Sequence, residues 1–467
     1  MLPSFRSIEL CRSAAAVTVL ATMAACVSYR EQPIDPRVTA AQLQARNLDE
    51  SAVQEDISKL IPGRESNDSR WGMAELLIAA MRINPRLAEA RAQLRAVSAG
   101  LKAAKELPNP AASLGGEYDL SRAMESPWLW SVSVQFALDP LLTRSLRVLA
   151  AEAAIRVGQS DYIEAAWSVR RELRAAYIAA SVEERRLSVL QSSVELREQL
   201  VQLLDARVRV GETPSTERTQ ATLELSRNRI ALADAGGALD AARAQLASAI
   251  GVPLSAIENR RLVAPVEPAA IDDARIDGLR EQALLSRADL AHAIAEYQIR
   301  ELDLHRAIRG QYPQVSLGPG FTWDHGVRKA TLGIGVSLPV FNRNGGAIAQ
   351  ATADREAAGE HLLAVQAAIL NEIDAAKLGY ARMLDNWRSA QRQSAAARAL
   401  AEQTAREVAL GASDRVATIA SRLAVDAERL AELDAYDRVQ QALGRLEDAL
   451  RTPLLGDETR IEFAPQK

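Results

Sequence analysis

The chain has 467 residues, a formal net charge of −4 and only 4% aromatic residues. This near-neutral charge excludes the basic surface of a nucleic-acid-binding protein. With two cysteines and four histidines in the whole chain, disulfide frameworks and zinc clusters are excluded as well. Long stretches consist of Ala, Leu, Arg, Glu and Gln, a composition typical of long, closely packed helices.

The first 25 residues are predicted to be a signal peptide. Arg6 and Arg12 supply positive charge, and the apolar run 14–25 is too short to span a bilayer. Small residues directly before Cys26 resemble a bacterial lipoprotein signal, in which the cysteine becomes lipidated, so we predict a palmitate-type anchor on Cys26. An ordinary cleaved signal peptide is the alternative. Each buried CH₂ contributes about 0.8 kcal/mol, so an acyl chain anchors a protein without spanning the membrane.

After an N-terminal segment, 26–72, which is expected to be extended, the chain repeats itself. Residues 84–90 align with 287–293, and Gly211 aligns with Gly411 at nearly the same shift. Internal repeats of this kind define the structural unit of a fold. The predicted domains are therefore a first repeat at 73–275, a second repeat at 276–454 and a tail at 455–467.

Each repeat is predicted to contain a helix, two strands, a very long helix and a returning helix. In the first repeat, residues 73–106 are helical in pattern and end before 108–110. Apolar and small or polar residues then alternate over about ten positions twice in each repeat, which predicts four strands. Their length suits tilted strands in an outer membrane. Interfacial aromatics are expected at the turn ends, and the candidates are Tyr118, Trp128, Trp130 and Trp323. Two soluble hairpins resting on a core are the alternative.

The long helices carry a coiled-coil pattern. Apolar or small residues recur at steps of three and four over 173–208, and the same pattern returns over 373–408. The segment 140–210 has about 70 residues and would approach 100 Å as one helix. A helix of that length cannot fold back onto a globular core.

Four strands are too few to close a membrane barrel, which needs at least about eight. Unpaired strand edges are not tolerated in lipid, so the barrel must be shared between chains. Three chains supply twelve strands. The predicted fold is therefore mainly α with a small membrane β part, in which a shared trimeric β-barrel continues into an α-helical coiled-coil barrel.

Three phrases carry a family resemblance: Pro-Asn-Pro at 108–110, YPQVSL at 312–317 and LPVFNRNGG at 338–346. Together with the repeat, they resemble the TolC-like outer membrane efflux family, and the last phrase is similar to its heavy-metal branch. The resemblance implies a passive homotrimeric duct in the outer membrane of a Gram-negative bacterium, extending into the periplasm. It also implies a periplasmic adaptor and an inner-membrane pump of the resistance-nodulation-division type as partners. Metal ions or small toxic compounds are the implied cargo.

By the same resemblance, the duct closes at the tips of its helical hairpins, here 210–214 and 410–415. The two glycines fit helix ends that need a positive φ, and Ser413 or Asp414 fits a helix cap. Some relatives carry acidic residues six and nine positions after the second glycine, but Ala417 and Ala420 stand there, so no acidic ring is expected. The candidate gate residues are Gly211, Thr213, Gly411, Ser413, Asp414 and Arg415.

Other functions fit the sequence less well. The four histidines, His292, His305, His325 and His361, have no ligand spacing, and no nucleophile or phosphate-loop motif is present. We therefore expect no enzyme, no catalytic or metal-binding residue and no cofactor. A duct of a type I protein secretion system and a periplasmic coiled-coil scaffold without a channel are the two alternatives.

Overall fold

A computed structural model describes residues 28–61, 70–120, 126–258 and 260–461. The predicted signal peptide and Cys26 lie outside these ranges. The chain divides into two units, with the boundary after Arg46. In the first unit, helix α1 spans Pro36–Gln44, and the Asp35 carboxylate caps it by accepting a hydrogen bond from the Arg37 amide at 2.8 Å.

The second unit begins with helix α2, Ser51–Leu60, and a two-residue strand β1, Arg70–Trp71, which pairs in parallel with β4, Arg261–Leu262. The expectation that 26–72 is extended was therefore wrong for α1 and α2. In α2, Val53 and Ile57 are buried one helical turn apart. Apolar residues at that spacing lie on one helical face, which packs into the core.

The first repeat contains two helices where one was predicted. The break falls at Asn84, whose ψ of 126° is extended, because Pro85 disfavours a helical residue before it. Asn84 then caps the next helix by accepting from the Arg86 amide at 2.8 Å. The elements are α3 Met73–Ile83, α4 Pro85–Lys105, β2 Ala111–Tyr118, β3 Trp128–Ala137, α5 Asp139–Leu142, α6 Arg144–Arg209 and α7 Ser215–Ile250.

The second repeat has the same order, including the break, except that no counterpart of α5 follows its second strand in the described chain. Arg287 occupies the place of Asn84, with a ψ of 136°. The Asn84 Nδ2 donates to the Ala249 carbonyl at 2.7 Å, and the Arg287 Nη1 donates to the Ala449 carbonyl at 2.6 Å. Two different side chains thus join the same pair of elements. The elements are α8 Asp273–Ser286, α9 Ala288–Arg309, β5 Gln314–Asp324, β6 Val327–Ser337, α10 Gly345–Ala409 and α11 Arg415–Leu450.

The four predicted strands are present and form one antiparallel sheet in the order β2-β3-β5-β6. The pairing of β3 with β5 joins the two repeats and sets Trp130 opposite Trp323. The β5–β6 turn consists of His325 and Gly326, both with positive φ, as a tight two-residue hairpin requires.

The two long helices have 66 and 65 residues, or about 100 Å each at 1.5 Å per residue. The predicted coiled-coil positions are all at least partly buried, and Leu173 and Ile373 are completely so. Helix α6 packs on α7 and α11, and α10 packs on α11. The buried core draws on both repeats, with Leu77 and Ile250 from the first and Ile373 and Leu443 from the second. Among the helices that the structure describes, none is both long and apolar enough to cross a bilayer.

Candidate gate at the helical hairpin tips

The two hairpin tips share one backbone motif. Gly211 and Gly411 have φ values of 78° and 77°, the positive φ expected at both positions. The Glu212 amide donates to the Arg207 carbonyl at 2.9 Å, and the Ala412 amide donates to the Glu407 carbonyl at 2.9 Å. These bonds, spanning five residues, satisfy carbonyls that the helix ends would otherwise leave free. Both turns are therefore fixed by their own backbone.

Asp414 has two functions at the second tip. Its Oδ1 accepts a hydrogen bond from the Ala417 amide at 2.9 Å, which confirms the predicted helix cap. Its Oδ2 lies 2.9 Å from the Arg207 Nη2 at the end of α6. The amide of Ala417 lowers the pKa of Asp414 most, and Arg207 lowers it further. One carboxylate thus caps α11 and ties the second tip to the first hairpin.

Arg207 was not among the predicted gate residues, because its partner Asp414 is 207 residues away in the sequence. Arg415 is exposed, and it forms no ion pair with any residue that the structure describes. Comparing the two repeats would have pointed to this pair. Arg207 aligns with Glu407, and Asp414 aligns with Pro214, so the paired residues stand where the two repeats differ.

Two further predicted gate residues lie in the turns of the hairpins. Thr213 and Ser413 are half-buried at equivalent places, two residues before the first residues of the returning helices. Neither side chain forms a hydrogen bond within the described ranges. At the first tip, Asp205 instead pairs with Arg209 at 3.5 Å and with Arg218 at 3.3 Å, which links α6 to α7.

The contact between α6 and α11 continues from the tip toward the other end of the hairpins, and α6 supplies the basic partner throughout. Arginines on α6 meet acceptors on α11: Arg186 lies 2.6 Å from Asp434, and the Arg174 Nη1 donates to the Gln440 carbonyl at 2.7 Å. Side-chain exposure falls along the series, from 31% at Arg207 to 24% at Arg186 and 0% at Arg170. Exposed ion pairs contribute little because water competes for them. The tip is therefore the part of this contact that is easiest to separate.

Arg170 anchors the opposite end of the contact. Its Nη2 lies 2.7 Å from Glu447 and 3.0 Å from Glu458, and all three side chains are buried. Burial opposes the charge on Arg170, but the surrounding carboxylates outweigh it and raise the pKa of the guanidinium. Burial also raises the pKa of Glu458. Removing one partner of such a cluster leaves a buried charge uncompensated, so this end resists separation.

Between the tip and the anchor, Asp426 interrupts the series of pairs. It is 4% exposed, and its Oδ2 has no hydrogen-bond partner in the described part of the chain. The closest basic group is Arg429, at 3.8 Å on the same helix. Burial raises the pKa of Asp426. A hydrogen bond from the Ser192 side chain on α6 opposes this rise in the pKa, so Asp426 still joins the two helices.

A cavity of about 230 Å³ lies beside the buried cluster. Arg174, Gln440 and Glu447 line it, but the Arg174 guanidinium already donates to Gln440 and lies 3.2 Å from Glu447. The Glu447 Oε1 accepts from the Leu454 amide at 2.9 Å. These three polar groups are engaged with one another, whereas the Glu458 Oε2, which also belongs to the lining, has no hydrogen-bond partner among the described residues.

The histidines lie apart from one another. The His292 Nδ1 is 2.9 Å from Asp161, the His305 Nε2 is 3.8 Å from Glu301, and the His325 Nδ1 is 2.7 Å from the Ser126 carbonyl. His361 is exposed on α10. No three His, Cys, Asp or Glu residues among those described are arranged to hold a metal ion.

The chain matches the family model described as outer membrane efflux protein over residues 76–252 and 279–450, one segment in each repeat. It is 24% identical over 291 residues to the cobalt-zinc-cadmium resistance protein CzcC of Cupriavidus metallidurans. That alignment covers 60% of this chain and 66%, just under two thirds, of the relative.

Solved structures show the same fold at low sequence identity. The outer-membrane channel OprN has a TM-score of 0.68 at 18% identity, over 91% of this chain and 98% of that chain. The outer membrane protein VceC of Vibrio cholerae has a TM-score of 0.66 at 16% identity, over 81% of this chain and 95% of that one.

Proposed function

The chain belongs to the outer membrane efflux protein family, and on that premise we propose that it is the passive exit duct of an efflux system in a Gram-negative outer membrane. The observation that carries this proposal is the joining of two repeats through one four-stranded sheet, with a long helical hairpin extending from each repeat. That arrangement provides a membrane part and a periplasmic part in one chain.

The working duct is a homotrimer. Within the described chain, the sheet ends at β2 on one side and at β6 on the other, each paired along one edge only. Unpaired backbone groups cost several kcal/mol each in lipid, so these edges need partners. Pairing β6 of one copy with β2 of the next satisfies them, and three copies supply twelve strands.

The gate lies at the hairpin tips, with the Arg207–Asp414 pair holding the second hairpin against the first. Because this pair is exposed, its loss requires little free energy, and a partner that binds the separated tips better can open them. The partner in this role is a periplasmic adaptor, which connects the tips to an inner-membrane pump of the resistance-nodulation-division type.

The cargo is proposed from the relative named for cobalt, zinc and cadmium resistance. Metal ions would pass as hydrated cargo, because the chain is poor in the soft ligands that retain them, with two cysteines and four histidines in its whole length. Cys26, which lies outside the described residues, is proposed to carry the acyl anchor.

The test is planar-bilayer conductance of the purified protein, with the oligomer mass measured in the same detergent. We expect a trimer that forms large, weakly selective channels which are closed most of the time. A stable monomer without conductance would contradict the shared barrel and favour a periplasmic scaffold.

A further inference from the structure

The two faces of the four-stranded sheet differ in composition. Residues directly opposite each other on paired strands point to the same face. Trp130, Trp323 and Arg328 are consecutive partners across β3, β5 and β6, so they share one face. The rest of that face is apolar, as shown by Leu114, Val132, Phe136, Leu317, Leu332 and Ile334.

Arg328 is the single charged residue on this apolar face of the described strands. The other face carries small and polar residues, including Glu117, Asp324 and Lys329. Lys329 pairs with Asp324 there. Arg328 is exposed, and its guanidinium carbon lies 5.7 Å from the centre of the Trp323 ring. It forms no ion pair with any other described residue.

Arg328 also lies at a defined level along the strands. It is the second residue of β6, next to the turn, on the level of Trp130 and Trp323. Tyr118 and Trp128 form an edge-to-face pair nearby, with ring centres 4.9 Å apart. Aromatic residues of this kind mark the level of the lipid head groups, and a cation is tolerated there but is costly in the hydrocarbon region.

We propose that Arg328, supported by Trp323, binds a lipid phosphate in the outer leaflet. A guanidinium matches a phosphate with two parallel hydrogen bonds and stacks on an aromatic ring at the same time. The turns of the sheet lie at the end opposite to the one from which the long helices leave. If the long helices extend into the periplasm, the turns and Arg328 lie on the outer side of the membrane, in its outer leaflet. The partner is therefore the phosphorylated glycolipid of that leaflet, lipid A. This assignment rests on the proposed membrane function.

The experiment is native mass spectrometry of the detergent-solubilised full-length oligomer titrated with diphosphoryl lipid A. We expect Arg328→Gln to weaken retention of lipid A about tenfold, the loss of one charge-assisted contact. Lys329→Gln is the matched control, because it removes the neighbouring charge from the opposite face, and it should change retention less than about twofold. Diacylglycerol, a lipid without a phosphate, titrated in parallel, should not distinguish the three proteins.

Equal retention of lipid A by the wild type and Arg328→Gln would overturn the proposal. An equal loss in both variants would also overturn it, because it would indicate an effect of net charge alone. Bilayer conductance and oligomer mass, measured on the same preparations, distinguish failure of the lipid site from failure of the proposed duct function. A conducting trimer with unchanged lipid retention refutes only the lipid site, whereas a protein without conductance refutes the proposed function.

Discussion

At the scale of single residues, Asp414 shows how one side chain serves both structure and the proposed gate. Its two oxygens have separate partners, the Ala417 amide and the Arg207 guanidinium. Any Asp or Ser at this place is expected to cap the helix, so the sequence predicted the cap. The ion pair depends on where α6 ends relative to α11, which is a tertiary contact that local sequence does not contain.

Substituting Asp414 by Asn separates the two roles, since Asn also caps helices well but carries no charge. We expect Asp414→Asn and Arg207→Ala each to increase leak conductance in bilayers several-fold, with little loss of stability because an exposed pair contributes about 1 kcal/mol or less. Arg415→Ala is the control and should conduct as the wild type does. Unchanged conductance in both test variants would reduce Asp414 to a capping residue.

The pH dependence of this pair has a defined sign. The pKa of Asp414 is lowered in the folded protein, so its contribution is fully present above the ordinary value of 3.8 and is lost as the pH falls through the lower folded value. The Arg207–Asp414 ion pair is therefore intact across neutral and mildly acidic pH. The charge effects of the variants above are accordingly the same at pH 5 and pH 8.

At the scale of elements, the helix break in each repeat has the same position but a different side chain. Asn84 and Arg287 stand at equivalent places, and each donates to a carbonyl at the end of a returning helix, Ala249 or Ala449. Arg287 also pairs with Asp289 at 2.7 Å and with Glu372 at 3.0 Å. Helix breaking at Pro85 was readable from sequence in principle, whereas the choice of a buried arginine for the second junction depended on these tertiary partners.

Alanine substitutions at the two junctions form a matched pair. Asn84→Ala removes a helix cap and leaves the Ala249 carbonyl without its donor, so we expect a loss of about 1–3 kcal/mol in unfolding free energy. Arg287→Ala removes the corresponding donor together with two ion-pair partners, and it should cost more. Thermal or denaturant unfolding of the purified protein measures both. A smaller effect at Arg287 than at Asn84 would contradict the view that its ion pairs stabilise the junction.

At the scale of the whole molecule, periodicity predicted the four strands and both long hairpins, but not α1, α2 or the helix break in each repeat. The strands and hairpins each follow a pattern that recurs over many residues, so the prediction does not depend on any single residue. Sequence reasoning missed the Arg170–Glu447–Glu458 cluster, because its members are far apart in sequence and each resembles an ordinary charge on a helix face. Charged residues are rarely buried without partners, and those partners become visible only in three dimensions.

Two parts of the molecule could hold the protein in a membrane, the four-stranded sheet and the proposed acyl anchor. An acyl chain alone gives marginal, reversible binding, whereas a closed barrel with an apolar outer face is held by all of its strands. We therefore expect Cys26→Ala to abolish incorporation of labelled palmitate while the trimer and its conductance persist. The labelling is measured in cells, and the oligomer mass and conductance are measured on the purified variant. Loss of the trimer on this change would mean that the sheet faces do not suffice and that the anchor contributes to assembly.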